Sequence, residues 1–317
     1  MSRIVFHIGY PKTGTTFLQK HVFSQVGALG VNSSVAGARA IDLDVREITR
    51  FSPSIWKTAY GQDLSRRIAL TAPRSPILYS NEWFLNAPFF QPKWEPIRPV
   101  RWTFPAIDHL ESFRTCAWKG NVGAIVTIRN QPELLASQYA ERSGAFAASQ
   151  EDFERRVYAV LNQPNYNGLT FLNYAQLIRE LRLVLGADNV LVLFYEDLGK
   201  SELLESLSRF MGYNFELAVR DGQENVRREE TGWRLRPRRI PVKNKRAGSK
   251  KWLHGQNWIR QVVNPALARV STQSKHKIYI SHKLRKDILE SYNEYNLELH
   301  DLLGKNLDRE NTPYIFY

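Results

Sequence analysis

A glycine-containing turn near the start of this chain lies between a strand pattern and a helix pattern. The apolar run "RIVFHIG" (3–9) is typical of a buried strand, and a helical pattern begins at Thr16. Gly9, Pro11 and Gly14 mark the turn between them. A strand, a turn and a helix in this order predict an anion site, because backbone N–H groups of the turn and the helix start point at one ligand.

The lysine of this turn is displaced from the position that nucleoside-triphosphatase loops use. Those loops read G-x-x-x-x-G-K-[ST], which would place lysine where this chain has Thr15. Lys12 instead lies between the two glycines, where its ammonium can meet a bound anion as a point charge. Thr15 and Thr16 add hydroxyl donors at the helix start. The turn therefore predicts a phosphate site of a different kind.

Strand and helix patterns alternate along most of the chain. Three further apolar runs are typical of buried strands: "PILYS" (76–80), "VGAIVTIR" (122–129) and "NVLVLFYEDL" (189–198). Helical patterns cover 16–26, 132–142, 171–185, 201–211 and 284–303. This alternation predicts an α/β fold with a P-loop-type parallel β-sheet flanked by helices on both faces.

Composition is that of a folded protein. The 317 residues are 43% hydrophobic, which is enough to bury a sizeable core, and we expect a single domain over 1–317. Cys116 is the one cysteine, so no disulfide forms within the chain. No apolar run approaches the roughly 20 residues of a membrane span. We expect a cytoplasmic protein without a transmembrane segment.

The charge of the chain is concentrated in one segment. The net charge is +13, and the basic segment 227–251 holds eleven Lys and Arg against Glu229 and Glu230, a net +9. Such a segment favours an anionic partner, although a solvated basic loop is an alternative. Pro237 and Pro241 predict a loop or partly ordered flap here.

The stretch "GYPKTGTTFLQ" (9–19) resembles the 5′-phosphosulfate-binding loop of sulfotransferases that use 3′-phosphoadenosine 5′-phosphosulfate (PAPS). The family pattern is P-K-[ST]-G-[ST]-[ST], with lysine where Lys12 stands here. The resemblance implies that PAPS, and its product 3′-phosphoadenosine 5′-phosphate (PAP), bind to Pro11, Lys12, Thr13, Gly14, Thr15 and Thr16.

A second motif is similar to the 3′-phosphate site of the same family. In "TIRNQPELLASQY" (127–139), Arg129 ends a strand and Ser137 stands eight residues later on the next helix. The family reads R-[ND]-P, so Gln131 before Pro132 is a departure. Arginine at a strand end and serine on the following helix can grip one phosphate from two sides.

Other parts of the chain agree with this resemblance. "LFYEDL" (193–198) resembles the late core strand of the family and implies that Tyr195 lies near the nucleotide. "RREETGW" (227–233) is a looser match to a basic motif, which implies Arg227 and Arg228 as further ligands. The resemblance covers a nucleotide-binding core at about 3–212 and a closing helix at about 283–304. The region at about 213–275 between them is expected to bind the acceptor or form the flap.

Sulfuryl transfer also requires a base for the acceptor proton. Family members place a histidine or glutamate just after an early core strand, and Glu82 follows "PILYS" here. Glu82 is therefore the predicted base, with an ordinary solvated carboxylate as the alternative, and His109 is the second candidate. His7, inside the first strand, is expected to be a packed core residue.

Three classes of function fit parts of the sequence. A sulfotransferase that moves a sulfuryl group from PAPS to an acceptor hydroxyl explains both phosphate motifs and the position of Lys12. A P-loop kinase or NTPase explains the first loop only, and a polyanion-binding module explains only the basic segment. Aromatic content and basic charge favour a glycan or saccharide acceptor, small phenols, lipids and peptidyl tyrosines being alternatives, and no metal is expected. The absence of a membrane anchor favours a bacterial-type enzyme.

Overall fold

The computed structural model describes residues 3–30, 40–42, 44–45, 51–71, 76–81, 105–145, 148–162, 172–216, 228–229, 232–237, 263–266, 276–304 and 314. Within these residues the larger sheet has five strands in the order β2-β3-β1-β4-β5. All of its neighbouring strands pair in parallel. The strands are β1 (Ile4–His7), β2 (Leu29–Gly30), β3 (Ile77–Ser80), β4 (Val122–Ile128) and β5 (Val190–Phe194).

The predicted parallel α/β fold is confirmed, and β1, β3, β4 and β5 correspond to the four predicted strands. β2 was not predicted, because two residues are too few to show a period. The segment predicted as strand to 198 ends earlier, at Phe194, and Tyr195–Asp197 forms a 3-10 turn. Tyr195 is therefore the first residue of the turn that follows β5.

The following helices have both of their ends within the described residues. They are α1 (Thr15–Phe17), α2 (Ala59–Thr71), α3 (Pro105–Ser112), α4 (Gln131–Arg142), α5 (Gln150–Leu161), α6 (Tyr174–Leu185), α7 (Ser201–Met211) and α8 (His282–Leu303). The helix predicted over 16–26 is helical but not regular, because α1 continues as a π turn at Leu18–Val22 and a 3-10 turn at Phe23–Val26. π turns are often found at functional sites.

Helices cover both faces of the sheet. Successive side chains of a strand point to opposite faces, so neighbours in sequence enter different cores. Phe6 and Val126 pack in the larger core with residues of α6 and α8. Val5 and Ile125 pack in the smaller core with residues of the helical segment after β1 and of α7. A sheet buried on both sides explains the continuous apolar runs of its strands.

A small second sheet corrects part of the predicted flap. β6 (Arg228–Glu229), β7 (Gly232–Arg234) and β8 (Lys277–Ile278) form an antiparallel sheet. The expectation of a loop is therefore wrong for β7, where buried Trp233 anchors the strand within a basic stretch. The rest of the basic segment beyond residue 237 lies outside the described residues.

The strand order creates a switch point in the sheet. β1 lies between β3 and β4, so the chain leaves β1 towards one edge of the sheet and leaves β4 towards the other. In open α/β sheets, ligands bind at such a point, in the crevice at the carboxyl ends of the strands. The turn after β1 and Arg129 after β4 both lie at this edge.

Candidate active site

The turn after β1 has a left-handed backbone at two positions. Lys12 has φ 73° and Gly14 has φ 80°, and Lys12 is the one non-glycine residue with positive φ in the described ranges. Bulky residues rarely adopt this conformation. Thr13 Oγ1 donates a hydrogen bond of 2.6 Å to the Tyr10 carbonyl and closes the turn. Left-handed residues in a turn direct backbone N–H groups to one concave side, an arrangement that binds anions.

Position 14 favours glycine. A Cβ atom there would lie 2.0 Å from Leu198 Cδ1 and 3.3 Å from Tyr195 Cδ2, in addition to the cost of its positive φ. The close approach packs the turn after β1 against the 3-10 turn after β5. The predicted loop and the predicted Tyr195 are thus in contact distance of each other.

Arg129 joins the two predicted phosphate motifs. Its Nη1 donates a hydrogen bond of 3.1 Å to the Lys12 carbonyl, and its guanidinium carbon lies 4.0 Å from the centre of the Tyr195 ring. Tyr174 fixes the backbone by donating a hydrogen bond of 2.7 Å from its hydroxyl to the Arg129 carbonyl. Arg129 is 6% exposed, and its Nε has no hydrogen-bond partner among the described residues. One guanidinium therefore contacts both the loop and the tyrosine.

Three hydroxyl side chains lie at or near the loop. Thr15 Oγ1 is buried without a hydrogen-bond partner in the described part of the chain. Buried polar atoms usually have a hydrogen-bond partner, so the Thr15 hydroxyl is a candidate for contact with a bound ligand. Ser137 is half-buried on α4, which packs on the loop where Gln138 Nε2 donates to the Pro11 carbonyl at 3.4 Å. Thr16 is half-buried at the start of the same helical segment as Thr15.

An ion-pair cluster at the loop was not predicted. Lys12 Nζ lies 3.0 Å from Glu141 Oε2, and Arg236 pairs with the other oxygen of the same carboxylate. Burial alone would raise the pKa of the Glu141 carboxyl, but the charges and hydrogen bonds of the two cations outweigh it and hold that pKa below its ordinary value. Glu141 follows Ser137 by four residues, so helical spacing could have placed it on the same face of α4.

Glu196 has a structural role behind Arg129. Its Oε1 accepts the backbone N–H of Asn130 at 2.9 Å, and its Oε2 accepts the Tyr314 hydroxyl at 2.8 Å. Burial raises the pKa of the Glu196 carboxyl above its ordinary value, although these hydrogen bonds and the charge of Arg129 act in the opposite direction. The carboxylate thereby fixes the backbone that follows Arg129.

Gln131, the departure from the family pattern, is a buried contact. Its side-chain nitrogen donates a hydrogen bond of 2.7 Å to Asn296 Oδ1 on α8, and both residues are fully buried. Asn296 in turn donates to the Tyr314 carbonyl at 2.6 Å. The extra residue before Pro132 therefore connects the start of α4 to the closing helix.

His7 is the packed core residue that the sequence predicted. Its Nδ1 lies 2.8 Å from Ser80 Oγ and its Nε2 lies 2.9 Å from Thr127 Oγ1, so the ring connects β3, β1 and β4. Full burial lowers the pKa of His7 from 6.5 to about 3. The imidazole is therefore neutral at physiological pH and supports the sheet beneath the loop.

The buried neutral state of His7 predicts a pH dependence of stability. Between its folded pKa of about 3 and its ordinary value of 6.5, the unfolded chain binds more protons. The free energy of unfolding should fall as the pH falls through this window, by up to about 1.4 kcal/mol per pH unit from His7. The free energy of unfolding, measured by urea denaturation at several pH values, should change less steeply with pH in His7→Gln than in the unmodified protein. His282→Gln, at an exposed site, is the control, and equal slopes for all three proteins would contradict the assignment.

His109, the second candidate base, lies in the core. It is 2% exposed on α3, and its Nδ1 accepts a hydrogen bond of 3.1 Å from Trp56 Nε1. This is the setting of a packed residue, which favours Glu82 of the two candidates.

Three predicted positions are only partly covered by the structure. Glu82 and Arg227 lie outside the described residues, and Arg228 begins β6. Asn81, directly before Glu82, is well anchored. Its backbone N–H donates to the His7 carbonyl at 3.1 Å, and its side chain donates to Asp42 Oδ1 at 2.6 Å. Asn81 itself is therefore fixed beside the end of β1.

Comparison with known families agrees with this geometry. A family model described as "Sulfotransferase domain" matches residues 3–261. The chain belongs to the sulfotransferase family. Among solved structures, the sulfotransferase is similar to a "Sulfotransferase from Alicyclobacillus acidocaldarius", with 13% sequence identity, 96% of each chain covered and a TM-score of 0.48. A search of curated proteins gives no significant match. The family predicted from the two motifs is confirmed by the family model, and the activity of the sulfotransferase is sulfuryl transfer.

Among the helices that the structure describes, none is long and apolar enough to cross a membrane. In the same residues, no group of three or more His, Cys, Asp or Glu side chains is placed to hold a metal ion.

Proposed function

We propose that this sulfotransferase takes its sulfuryl group from PAPS and transfers it to a hydroxyl of a saccharide or glycan. The observation that best supports PAPS as the donor is the position of Arg129, which contacts both the Lys12 carbonyl and the Tyr195 ring. An anion site in the loop and a second cation at the next strand end suit a nucleotide with phosphates at both the 5′ and 3′ positions.

Each residue then has a defined part in donor binding. The loop N–H groups, Lys12 and the Thr15 and Thr16 hydroxyls bind the 5′-phosphosulfate. Arg129 and Ser137 bind the 3′-phosphate, and Tyr195 packs beside the nucleotide. Pro11 and Thr13 shape the turn, while Arg227 and Arg228 stay predicted ligands of the donor.

The reaction is an in-line displacement at sulfur. The acceptor oxygen forms a bond to sulfur while the bond from sulfur to the 5′-phosphate oxygen breaks, and that oxygen keeps the electron pair. PAP leaves with the added negative charge, which Lys12 and the loop N–H groups stabilise. Glu82 takes the acceptor proton. Donor and acceptor are held in one geometry, which removes much of the entropic cost of the reaction.

The kinase alternative is less well supported by the acidic residues after β5. A kinase needs a strand-end acid that helps to hold magnesium. Glu196 is engaged by the Asn130 N–H and the Tyr314 hydroxyl, and Asp197 pairs with Lys200 at 2.9 Å. These partners give both carboxylates other roles, in agreement with the absence of lysine at position 15.

The acceptor proposal rests on the distribution of tryptophan and basic charge. Of eight tryptophans, Trp56, Trp118 and Trp233 are buried in the core and serve packing. The other five occur in two stretches of sequence, 83–102 and 252–258. The first stretch follows Glu82 directly, and the second follows the basic segment. Aromatic residues that are close in sequence to the predicted base, together with basic charge, suit a sugar acceptor, including an anionic one.

Thermal unfolding in the presence of nucleotides tests the donor. PAP should raise the melting temperature without magnesium, because a ligand at 100 times its Kd adds about 2.7 kcal/mol to folded-state stability. AMP, which lacks the 3′-phosphate, should give a smaller rise. Ser137→Ala should reduce the difference between the two nucleotides without moving the response to AMP. Stabilisation by magnesium-ATP alone, or by polyanions alone, would contradict the proposal.

An acceptor screen tests the second part of the proposal, which is that the acceptor is a saccharide or glycan. The purified protein is incubated with sulfur-labelled PAPS and with panels of saccharides, phenols, lipids and tyrosine peptides, with Lys12→Ala as the blank. Label should pass to saccharides in the unmodified protein only. Transfer confined to another panel would exclude the glycan acceptor while leaving the donor assignment in place.

A further inference from the structure

Glu141 places a negative charge beside two cations that could otherwise bind the anionic sulfate donor. Its carboxylate contacts Lys12 from the loop and Arg236 from the segment after β7. The Lys12 and Glu141 side chains are each 27% exposed, so solvent can reach the cluster. Two cations that share one carboxylate lie close enough to share one phosphate or sulfate instead.

The cluster is built from three separate elements and is held in place. The Arg236 backbone N–H donates a hydrogen bond of 2.6 Å to Ser143 Oγ, just beyond the end of α4. The Arg236 Nε is buried without a hydrogen-bond partner among the described residues. Glu141 and Ser137 are four residues apart on α4 and so lie on the same face, towards the loop. The ion pair therefore belongs to the donor site and is not an isolated surface contact.

We propose that Glu141 is a displaceable counter-ion of the donor site, and that Arg236 is a further donor-binding residue. Without the donor, Glu141 neutralises Lys12 and Arg236, which would otherwise repel each other and Arg129. When the donor binds, its anionic groups take over these two cations. This inference rests on the proposed PAPS-binding function.

Removing the Glu141 charge should raise the affinity for the donor. The Glu141 carboxylate competes with the donor for Lys12 and also repels the incoming negative charge. Glu141→Gln keeps the shape of the side chain and removes its charge. The donor-free variant should be less stable, because its cations lose their partner, but it should bind the donor more tightly. A merely structural role for Glu141 would give the opposite result for binding.

Calorimetric titration with PAP tests the exchange. Glu141→Gln should lower the Kd for PAP roughly fivefold, the size expected for losing a competing ion pair of about 1 kcal/mol. The rise in melting temperature caused by PAP should also be larger in this variant. Glu298→Gln is the matched control, since it removes an exposed carboxylate that pairs with Arg179, and it should leave the Kd unchanged.

A second variant tests Arg236 independently. Arg236→Gln should weaken PAP binding, both alone and combined with Glu141→Gln, because Arg236 contacts the donor in the bound state. Equal or weaker PAP binding by Glu141→Gln would overturn the counter-ion role, and an unchanged Kd in Arg236→Gln would overturn the ligand role. Failure of the unmodified protein to bind PAP would instead overturn the proposed function and, with it, this inference.

Discussion

Replacing Lys12 by alanine should lower kcat by about 10²–10³, the size seen when one group that stabilises developing negative charge is removed. Lys12 lies within the turn that we propose binds the donor, where its charge would oppose the negative charge that grows on the leaving 5′-phosphate. Because this charge is greatest in the transition state, kcat should fall more than the affinity for PAP. Single-turnover assays with PAPS, together with PAP titration, separate the two effects.

The backbone at position 12 makes this variant easy to interpret. Lysine and alanine meet the same cost at φ 73°, so the exchange neither relieves nor adds backbone strain in the turn. Lys283→Ala, which removes a lysine from an exposed pair with Asp287, is the matched control and should keep full activity. A kcat for Lys12→Ala equal to that of the control would remove Lys12 from the mechanism.

Replacing Glu82 by glutamine should lower kcat by about 10²–10⁴, the usual contribution of a general base. The prediction rests on the end of β3, where Asn81 is fixed to the His7 carbonyl and to Asp42. β3 is the neighbour of β1, and the loop proposed to bind the donor begins at the end of β1. Position 82 comes shortly after the end of β3 in the sequence, which is why we predict the base there. Glutamine keeps the size of the side chain but cannot accept the proton.

Two measurements distinguish loss of the base from loss of structure. PAP affinity of Glu82→Gln should match that of the unmodified protein, and the acidic limb of the profile of kcat/KM against pH should disappear. His109→Leu is the comparison: leucine cannot accept the Trp56 hydrogen bond, so the variant should lower the free energy of unfolding while the folded protein keeps its kcat. Near-normal turnover of Glu82→Gln would exclude it as the base.

Much of the fold could be predicted because it depends on local patterns. β4 and β5 are continuous apolar runs, and α7 matches its predicted bounds of 201–211. The helix after the donor loop was predicted as regular, yet it passes through π and 3-10 turns, since periodicity alone does not distinguish helix types. β7 was hidden by its basic neighbours and is stabilised by pairing with β8, some forty residues further along.

Candidate site residues could be predicted from the sequence where a single segment carries a recognisable motif. Lys12 and Arg129 were identified from motifs, and the structure brings them together through one hydrogen bond. Glu141 was within reach of a helical-spacing argument from Ser137. Arg236 was not, because its contact with Glu141 joins positions ninety-five residues apart. Such pairs depend on packing between elements, which no single stretch of sequence shows.

Tyr314 imposes an order on the assembly of the donor site during synthesis. Its hydroxyl and carbonyl hold Glu196 and Asn296, and its ring lies 5.6 Å from Phe194 at the end of β5. Protein chains emerge from the ribosome N-terminal part first, and early parts can fold before later parts exist. The sheet and the donor loop can therefore form while Glu196 still lacks this partner. A nascent chain that lacks Tyr314 therefore leaves Glu196 without this hydrogen bond, and the backbone support behind Arg129 is completed only after residue 314 has been made.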